Sequence, residues 1–473
     1  MRRFSVLRFR LTFCRFLTGI VLAAFMAGGF ASATGPPQVL GEKGHLPNGL
    51  VWLFSEQRSL PLVALQVMIK AGALRDLKGK EGLANLTAAL LLQGTKKRSA
   101  TQIAAELDFL GARLSASGSE DFALVSLMVL KKDLAAGLDL LQDVLCNPAF
   151  APKEVQQKIS ELLASFQSDE DEPEIVASRA FYRRLFGPHP YGHPPKGTPA
   201  GLKAIHREDV LNFHRTYYRP NNAILSIVGD LSKDEAEAMV TKFFGPWEPA
   251  PIPPLEVPPP PDLNKPEVVI INKDITQANI IWGHGGIARN NPDFYAFQVM
   301  NYILGGGGFA SRLMEAVREK HGLAYSVGSS FDAGLEAGPF VVTLETKNAS
   351  AGEALAQVIR EVERIRTQPV SEKELQDAKS YLIGSFPRKM DSLGKRASLL
   401  GYVEFYRLGL DYPWRYPELV APLTPADIQK VAEKYLHPDK FLLVVVGDRG
   451  KLPPLAQLMP VLAEKEKDDV QKQ

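Results

Sequence analysis

Disulfide chemistry has little to work with in this chain, because its 473 residues include two cysteines, Cys14 and Cys146. Histidine is scarce too, at 8 residues, so few imidazoles are available for metal or acid–base work. An excess of one charge is also missing. Lys and Arg number 55 against 53 Asp and Glu, and no global field is present to attract nucleic acid or another polyanion. What remains is the composition of an ordinary globular protein, 45% hydrophobic and 23% charged, rather than a disordered or membrane-embedded one. The length predicts two or more domains.

The N-terminus departs from that average. Arg2, Arg3, Arg8, Arg10 and Arg15 come first, no acid occurs before Glu42, and an apolar run over 16–30 ends in Ala31-Ser32-Ala33. That order is the build of a secretory signal peptide over residues 1–33, ending at a small-x-small cleavage site. The alternative is an uncleaved anchor, since the uncharged stretch is nearly long enough to span a bilayer. The small residues at its end favour cleavage, which predicts a periplasmic or secreted protein with no stable membrane insertion. Cleavage removes Cys14 and leaves Cys146 without an intrachain partner. It also removes five arginines and no acid, so a formal charge of +2 becomes −3 in the mature chain.

Ten of the 22 residues over 245–266 are proline, which predicts an extended linker at 247–266. The flanking segments, 34–246 and 267–463, are of similar length, and a polar tail occupies 464–473. Both segments end alike. Tyr217, Pro220 and Ile227-Val228-Gly229-Asp230 recur 218 residues later as Tyr435, Pro438 and Val445-Val446-Gly447-Asp448. A helix closing on an aromatic, a proline that stops it and a buried β-branched strand predict a duplicated domain. Strand-like patterns at 62–69, 122–130, 268–272, 279–283 and 340–346 alternate with helical spacing at 134–145, 153–166, 293–304 and 309–320. The expected fold is α+β, with two homologous domains that are each a mostly antiparallel sheet covered by helices.

Specific motifs narrow this further. In order they are His45-Leu46-Pro47-Asn48-Gly49-Leu50, GLANLTAALLLQGT at 82–95, Asn147-Pro148-Ala149-Phe150, Asp171-Glu172-Pro173, HPYGHPPKGT at 189–198, YYRPNNAILSIVGD at 217–230 and GGGGFASRLMEAVREKHGLAYSV at 305–327. Together they resemble the insulinase/pitrilysin (inverted zincin) metallopeptidases, of processing-peptidase type, across the whole mature chain. Active members of that family carry His-x-x-Glu-His after the Gly-Leu-Ala, placing two imidazoles and a general base on one helix face. Here the three positions hold Asn85, Ala88 and Ala89. The family's third ligand, a glutamate, falls at Ser165, or failing that at Ala164. The resemblance therefore implies no metal in this chain.

No other residues take over the metal. His189 and His193 sit among prolines and cannot share a helix face. His206 and His214 are eight apart in a helical stretch, roughly 80° out of line, and read as surface or core residues. A Ser, His, Asp triad stays open on composition, but no Gly-x-Ser-x-Gly elbow nominates a nucleophile.

The resemblance also supplies a positive signal. Arg318 and Tyr325 match an Arg/Tyr pair that, in the family, binds substrate backbone and steadies the tetrahedral oxyanion from the half without zinc. Gly305, Gly306, Gly307 and Gly308 lack the Gly-Lys-Ser/Thr of a phosphate loop. They resemble the substrate-binding glycine-rich loop in the non-catalytic subunit of mitochondrial processing peptidase. Loss and retention together imply the non-catalytic subunit of an exported zinc metallopeptidase. It would supply Arg318 and Tyr325 in trans, as a heterodimer, to a homologous partner that carries the zinc and cleaves peptides or unfolded proteins. The alternatives are a non-proteolytic scaffold or peptide-binding subunit of the same fold, and catalysis by a site the motifs do not reveal.

Overall fold

The computed structural model describes residues 38–455. The signal-peptide expectation, Cys14 and the tail at 464–473 lie outside the described residues. The first half builds a six-stranded sheet from β1 (Glu42–His45), β2 (Val51–Glu56), β3 (Leu62–Ile69), β4 (Arg113–Gly118), β5 (Ala123–Leu130) and β6 (Ala223–Gly229), in the order β1-β2-β6-β3-β5-β4. The second half builds a five-stranded sheet from β7 (Glu267–Asn272), β8 (Gln277–Gly285), β9 (Ala324–Ala333), β10 (Ala337–Lys347) and β11 (Leu442–Gly447), in the order β7-β11-β8-β10-β9. Without β1, the two orders are the same. Each sheet is antiparallel except for one pair, β2 with β6 and β7 with β11.

The 218-residue repeat falls on β6 and β11, which end on Gly229 and Gly447 and occupy equivalent places in the two sheets. Both are buried along their length. Their β-branched runs suit strands covered on two faces, where no polar alternation is needed. By contrast β5 alternates buried and half-buried residues, and β4, at the sheet edge, buries no side chain fully.

The halves exchange helices. Helix Pro173–Phe186, from the first half, lays Ala177, Phe181 and Leu185 against Ile281, Leu442, Val444 and Val446 of the second sheet. Helix Leu393–Phe405, from the second half, packs Ala397, Leu400 and Val403 against Leu53, Met68 and Val228 of the first. Its Gly401 allows close approach, since a Cβ there would lie 3.2 Å from the Met68 methyl. Arg396 fixes the register by donating to Ser55 Oγ at 2.7 Å and to the Leu40 carbonyl at 3.0 Å. Each large apolar side chain buried this way contributes about 1.5–3 kcal/mol, which ties the halves together, although the first half also keeps a core of its own between Leu46 and Trp247.

Between the halves a cleft of about 760 Å³ opens, lined by Phe166, Tyr182, Tyr191 and Tyr406 among others. At one edge the β4–β5 and β9–β10 turns meet through buried Asp121. Its carboxylate accepts from Tyr191 Oη at 2.7 Å, Tyr406 Oη at 3.0 Å and the Leu335 amide at 2.9 Å. The proline-rich stretch carries no helix or strand over 248–263, and Arg75 donates to the carbonyls of Pro253 and Pro254 at 2.8 Å. Among the described residues no helix is long and apolar enough to cross a membrane.

Candidate functional site

Asn85, Ala88 and Ala89 lie on helix Leu83–Leu90, whose N-terminal amides at Gly82 and Ala84 donate to the carboxylate of half-buried Asp76 at 2.6 and 2.7 Å. Asn85 and Ala89 occupy the half-exposed face, while Ala88 is 0% exposed and packs in the first-half core. Asn85 Oδ1 accepts from the Gly118 amide of β4 at 3.1 Å, which commits the side chain to the sheet edge. Ser165, on helix Pro152–Asp169, donates to the Leu162 carbonyl at 2.8 Å.

These groups do not fit zinc. Two alanines offer no donor atom, and the remaining amide and hydroxyl are weak ligands already engaged in hydrogen bonds. A cation also stands beside the third position. Lys196 Nζ lies 3.4 Å from Ser165 Oγ, 2.5 Å from Asp169 Oδ2 and 4.5 Å from the Phe166 ring centre. A fixed ammonium there repels a divalent ion. Among the described residues no group of three His, Cys, Asp or Glu is placed to hold a metal.

The histidines serve the fold. His189 Nδ1 accepts from the Tyr191 amide at 3.0 Å inside the proline turn, and His193 Nδ1 lies 3.0 Å from the Pro194 carbonyl. His206 is the N-cap of helix Arg207–Tyr217 rather than part of it, so it never shares a face with His214. His214 lies 2.8 Å from the Leu145 carbonyl, and burial pushes its pKa down to about 4.

The second half presents a different arrangement. Helix Phe294–Asn301 continues as a widened π turn, Tyr302–Gly306, followed by a single tight turn, Gly308–Ala310. The glycines are not equivalent. Gly305 is buried, and a Cβ on it would lie 2.4 Å from the Ser329 nitrogen of β9, so it serves packing; Gly306 and Gly308 are exposed, and Gly308 has φ +58°. Arg318 lies on a second π segment, Met314–Lys320, where the sequence predicted an ordinary helix. Gly322, with φ +61°, turns the chain into β9, which begins one residue before Tyr325.

This path brings three side chains together. The Arg318 guanidinium carbon lies 5.1 Å from the Tyr325 ring centre and 5.0 Å from that of Phe309. Tyr325 is 75% exposed and Phe309 is 71% exposed, so the cluster faces solvent. Phe309 was not singled out from the sequence; an apolar aromatic directly after four glycines is the signal that could have found it. No hydrogen bond, ion pair or ring contact joins this cluster to Asn85, Ala89 or Ser165 among the described residues.

Known proteins match this pattern. Residues 53–198 match the family model described as insulinase (peptidase family M16), and residues 204–382 match the one described as the peptidase M16 inactive domain. An uncharacterized zinc protease of Rickettsia bellii is 27% identical over 402 residues, covering 82% of this chain and 93% of the relative. An uncharacterized zinc protease of Bacillus subtilis is 24% identical over 413 residues, 86% of this chain and 98% of the relative. The crystal structure of a peptidase M16 inactive domain from Pseudomonas fluorescens superposes with a TM-score of 0.81 at 30% identity, covering 88% of this chain and 99% of that one. A protease from Helicobacter pylori, at 20% identity and a TM-score of 0.80 over 86% of this chain and 100% of its own, shares the fold.

Proposed function

We propose that this chain, which belongs to the insulinase (peptidase M16) family, is the non-catalytic subunit of an exported zinc metallopeptidase. In this reading it lends Arg318 and Tyr325 to a homologous subunit that carries the metal. The observation that carries it is the exposed Phe309–Arg318–Tyr325 cluster in a chain whose own metal positions hold an amide, two methyls and a hydroxyl.

The chemistry follows from the side chains. Peptide hydrolysis develops negative charge on the scissile carbonyl oxygen, and donors held in place beforehand stabilise it most. Two aromatic faces flank the Arg318 guanidinium, and the carboxylate paired with it, that of exposed Glu319 at 3.7 Å from Nε, leaves N–H groups of its planar fork available to a substrate. The Tyr325 hydroxyl is a second donor. Phe309 and the exposed Gly306 and Gly308 form an apolar, close-approach surface for the substrate chain. The partner's zinc would supply the activated water, since no group of three His, Cys, Asp or Glu among the described residues is placed to hold a metal. Reconstitution tests the reading: a mixture with a His-x-x-Glu-His subunit should cleave a peptide that neither chain cleaves alone, and an inert mixture would favour a non-proteolytic scaffold.

A further inference from the structure

A second cavity, of about 470 Å³, lies where helix Leu393–Phe405 crosses the first sheet. Its size is that of a small-molecule site. Its lining includes none of Asn85, Ala89, Ser165, Arg318 and Tyr325. Met68 and Leu124 of the first sheet form one wall, and Phe294, Phe386 and Leu399 form the other.

Its charge is one-sided. Arg388, Lys389 and Lys395 line it, and no Asp or Glu does. Lys395 is paired with Asp391 at 2.9 Å, whereas Arg388 and Lys389 have no ion pair among the described residues. Beneath the wall lies Arg289, 3% exposed, whose guanidinium has no carboxylate partner among the described residues. Its Nε donates to Tyr402 Oη at 2.6 Å and one terminal nitrogen donates to Tyr412 Oη at 3.1 Å, with the Phe294 ring centre 3.9 Å away. Tyr402, Tyr412 and Phe294 all line the cavity. Burial and the nearby Arg289 both lower the pKa of Lys389. A buried guanidinium balanced by phenols and ring faces alone leaves a positive potential in an apolar space.

We propose that this cavity binds an amphipathic monocarboxylate. The apolar chain lies between Met68 and Leu399, and the carboxylate meets Lys389 and Arg388. Tyr402 adds a donor, because its oxygen accepts from Arg289 and its own proton remains free to donate. A fatty acid and the C-terminus of an apolar peptide share this chemistry. The site is independent of the proposed peptidase role, and its test needs no partner subunit.

Calorimetric titration of the full chain separates the sources: decanoate against neutral decanamide, and trileucine with a free against an amidated C-terminus. Saturable one-site binding of either acid is expected, weaker by on the order of tenfold for its neutral counterpart and by a similar factor in Lys389→Gln or Arg388→Gln. The acid that binds identifies the source. Both variants lie on the rim, so their thermal midpoints should match the parent's. Failure of both acids to saturate, equal binding of the neutral counterparts, or unchanged affinity in both variants would overturn the proposal.

Discussion

The guanidinium of Arg318 is held between two exposed rings, with Tyr325 at 5.1 Å and Phe309 at 5.0 Å. Tyr325 at 75% and Phe309 at 71% exposure are exceptions to the burial of large aromatics, and exposed apolar surface of this kind marks interaction sites. In the assembled peptidase, Arg318→Ala or Tyr325→Phe should lower kcat by roughly a hundredfold or more, the cost of a lost oxyanion donor. Phe309→Ala should raise KM and leave kcat nearly unchanged. Stability of the lone chain should move by less than about 0.5 kcal/mol in all three variants. Steady-state kinetics with parallel melts check this, and unchanged kcat in Arg318→Ala would make the cluster structural.

Asp121 joins the two hairpin turns, so its removal should be felt across both halves. In Asp121→Ala the hydroxyls of Tyr191 and Tyr406 and the Leu335 amide lose their shared acceptor. A loss of about 3 kcal/mol is expected, from buried donors left unsatisfied. Denaturant unfolding measures it, and a cost below about 1 kcal/mol would show that the clasp is dispensable.

Asp76 gives the helix of the degenerate metal motif a pH dependence. Burial, the largest effect, raises its carboxyl from the ordinary 3.8 to about 7, against the opposing pull of the Gly82 and Ala84 amides. The folded state then holds a proton that the unfolded state has released between pH 3.8 and about 7. Stability from this group is therefore fully present below pH 3.8 and is lost as pH rises through about 7. Asp76→Asn removes the titration, so the stability difference between parent and variant should change steadily across that window and flatten above it. Parallel melts from pH 4 to 8 measure the difference; a difference that stays constant would contradict the assignment.

Cys146 should be chemically silent. Burial, reinforced by the charge of Asp143, pushes its thiol up to about 12, so almost no thiolate forms at neutral pH. Ellman's reagent at pH 8 should label it only after denaturation, and rapid labelling of the folded chain would contradict this.

Legibility in the sequence followed locality. Strand β3 matches the predicted 62–69, and the Ser99–Gln102 capping box opens helix Ala100–Leu110 before Gly111 in the left-handed conformation, because both features are written in adjacent residues. The repeat marked β6 and β11, since a central strand tolerates only an apolar, β-branched run. The helix exchange was not legible: the apolar face of Pro173–Phe186 is the same whichever sheet it covers, and only tertiary packing selects the second. The π segments were likewise hidden, because a widened turn has nearly the residue spacing of an α-helix. At the site, Arg318 and Tyr325 drew attention through family resemblance. Lys196 beside Ser165 required coordinates, since 31 residues separate them in the chain.

Metal content and peptide cleavage, measured on the purified chain alone and then mixed with a family member bearing His-x-x-Glu-His, test the central claim most directly. The account predicts zinc well below one equivalent and no cleavage for this chain alone, with turnover appearing on mixing and falling when Arg318→Ala replaces the parent. One equivalent of zinc and peptide cleavage by the lone chain would contradict it.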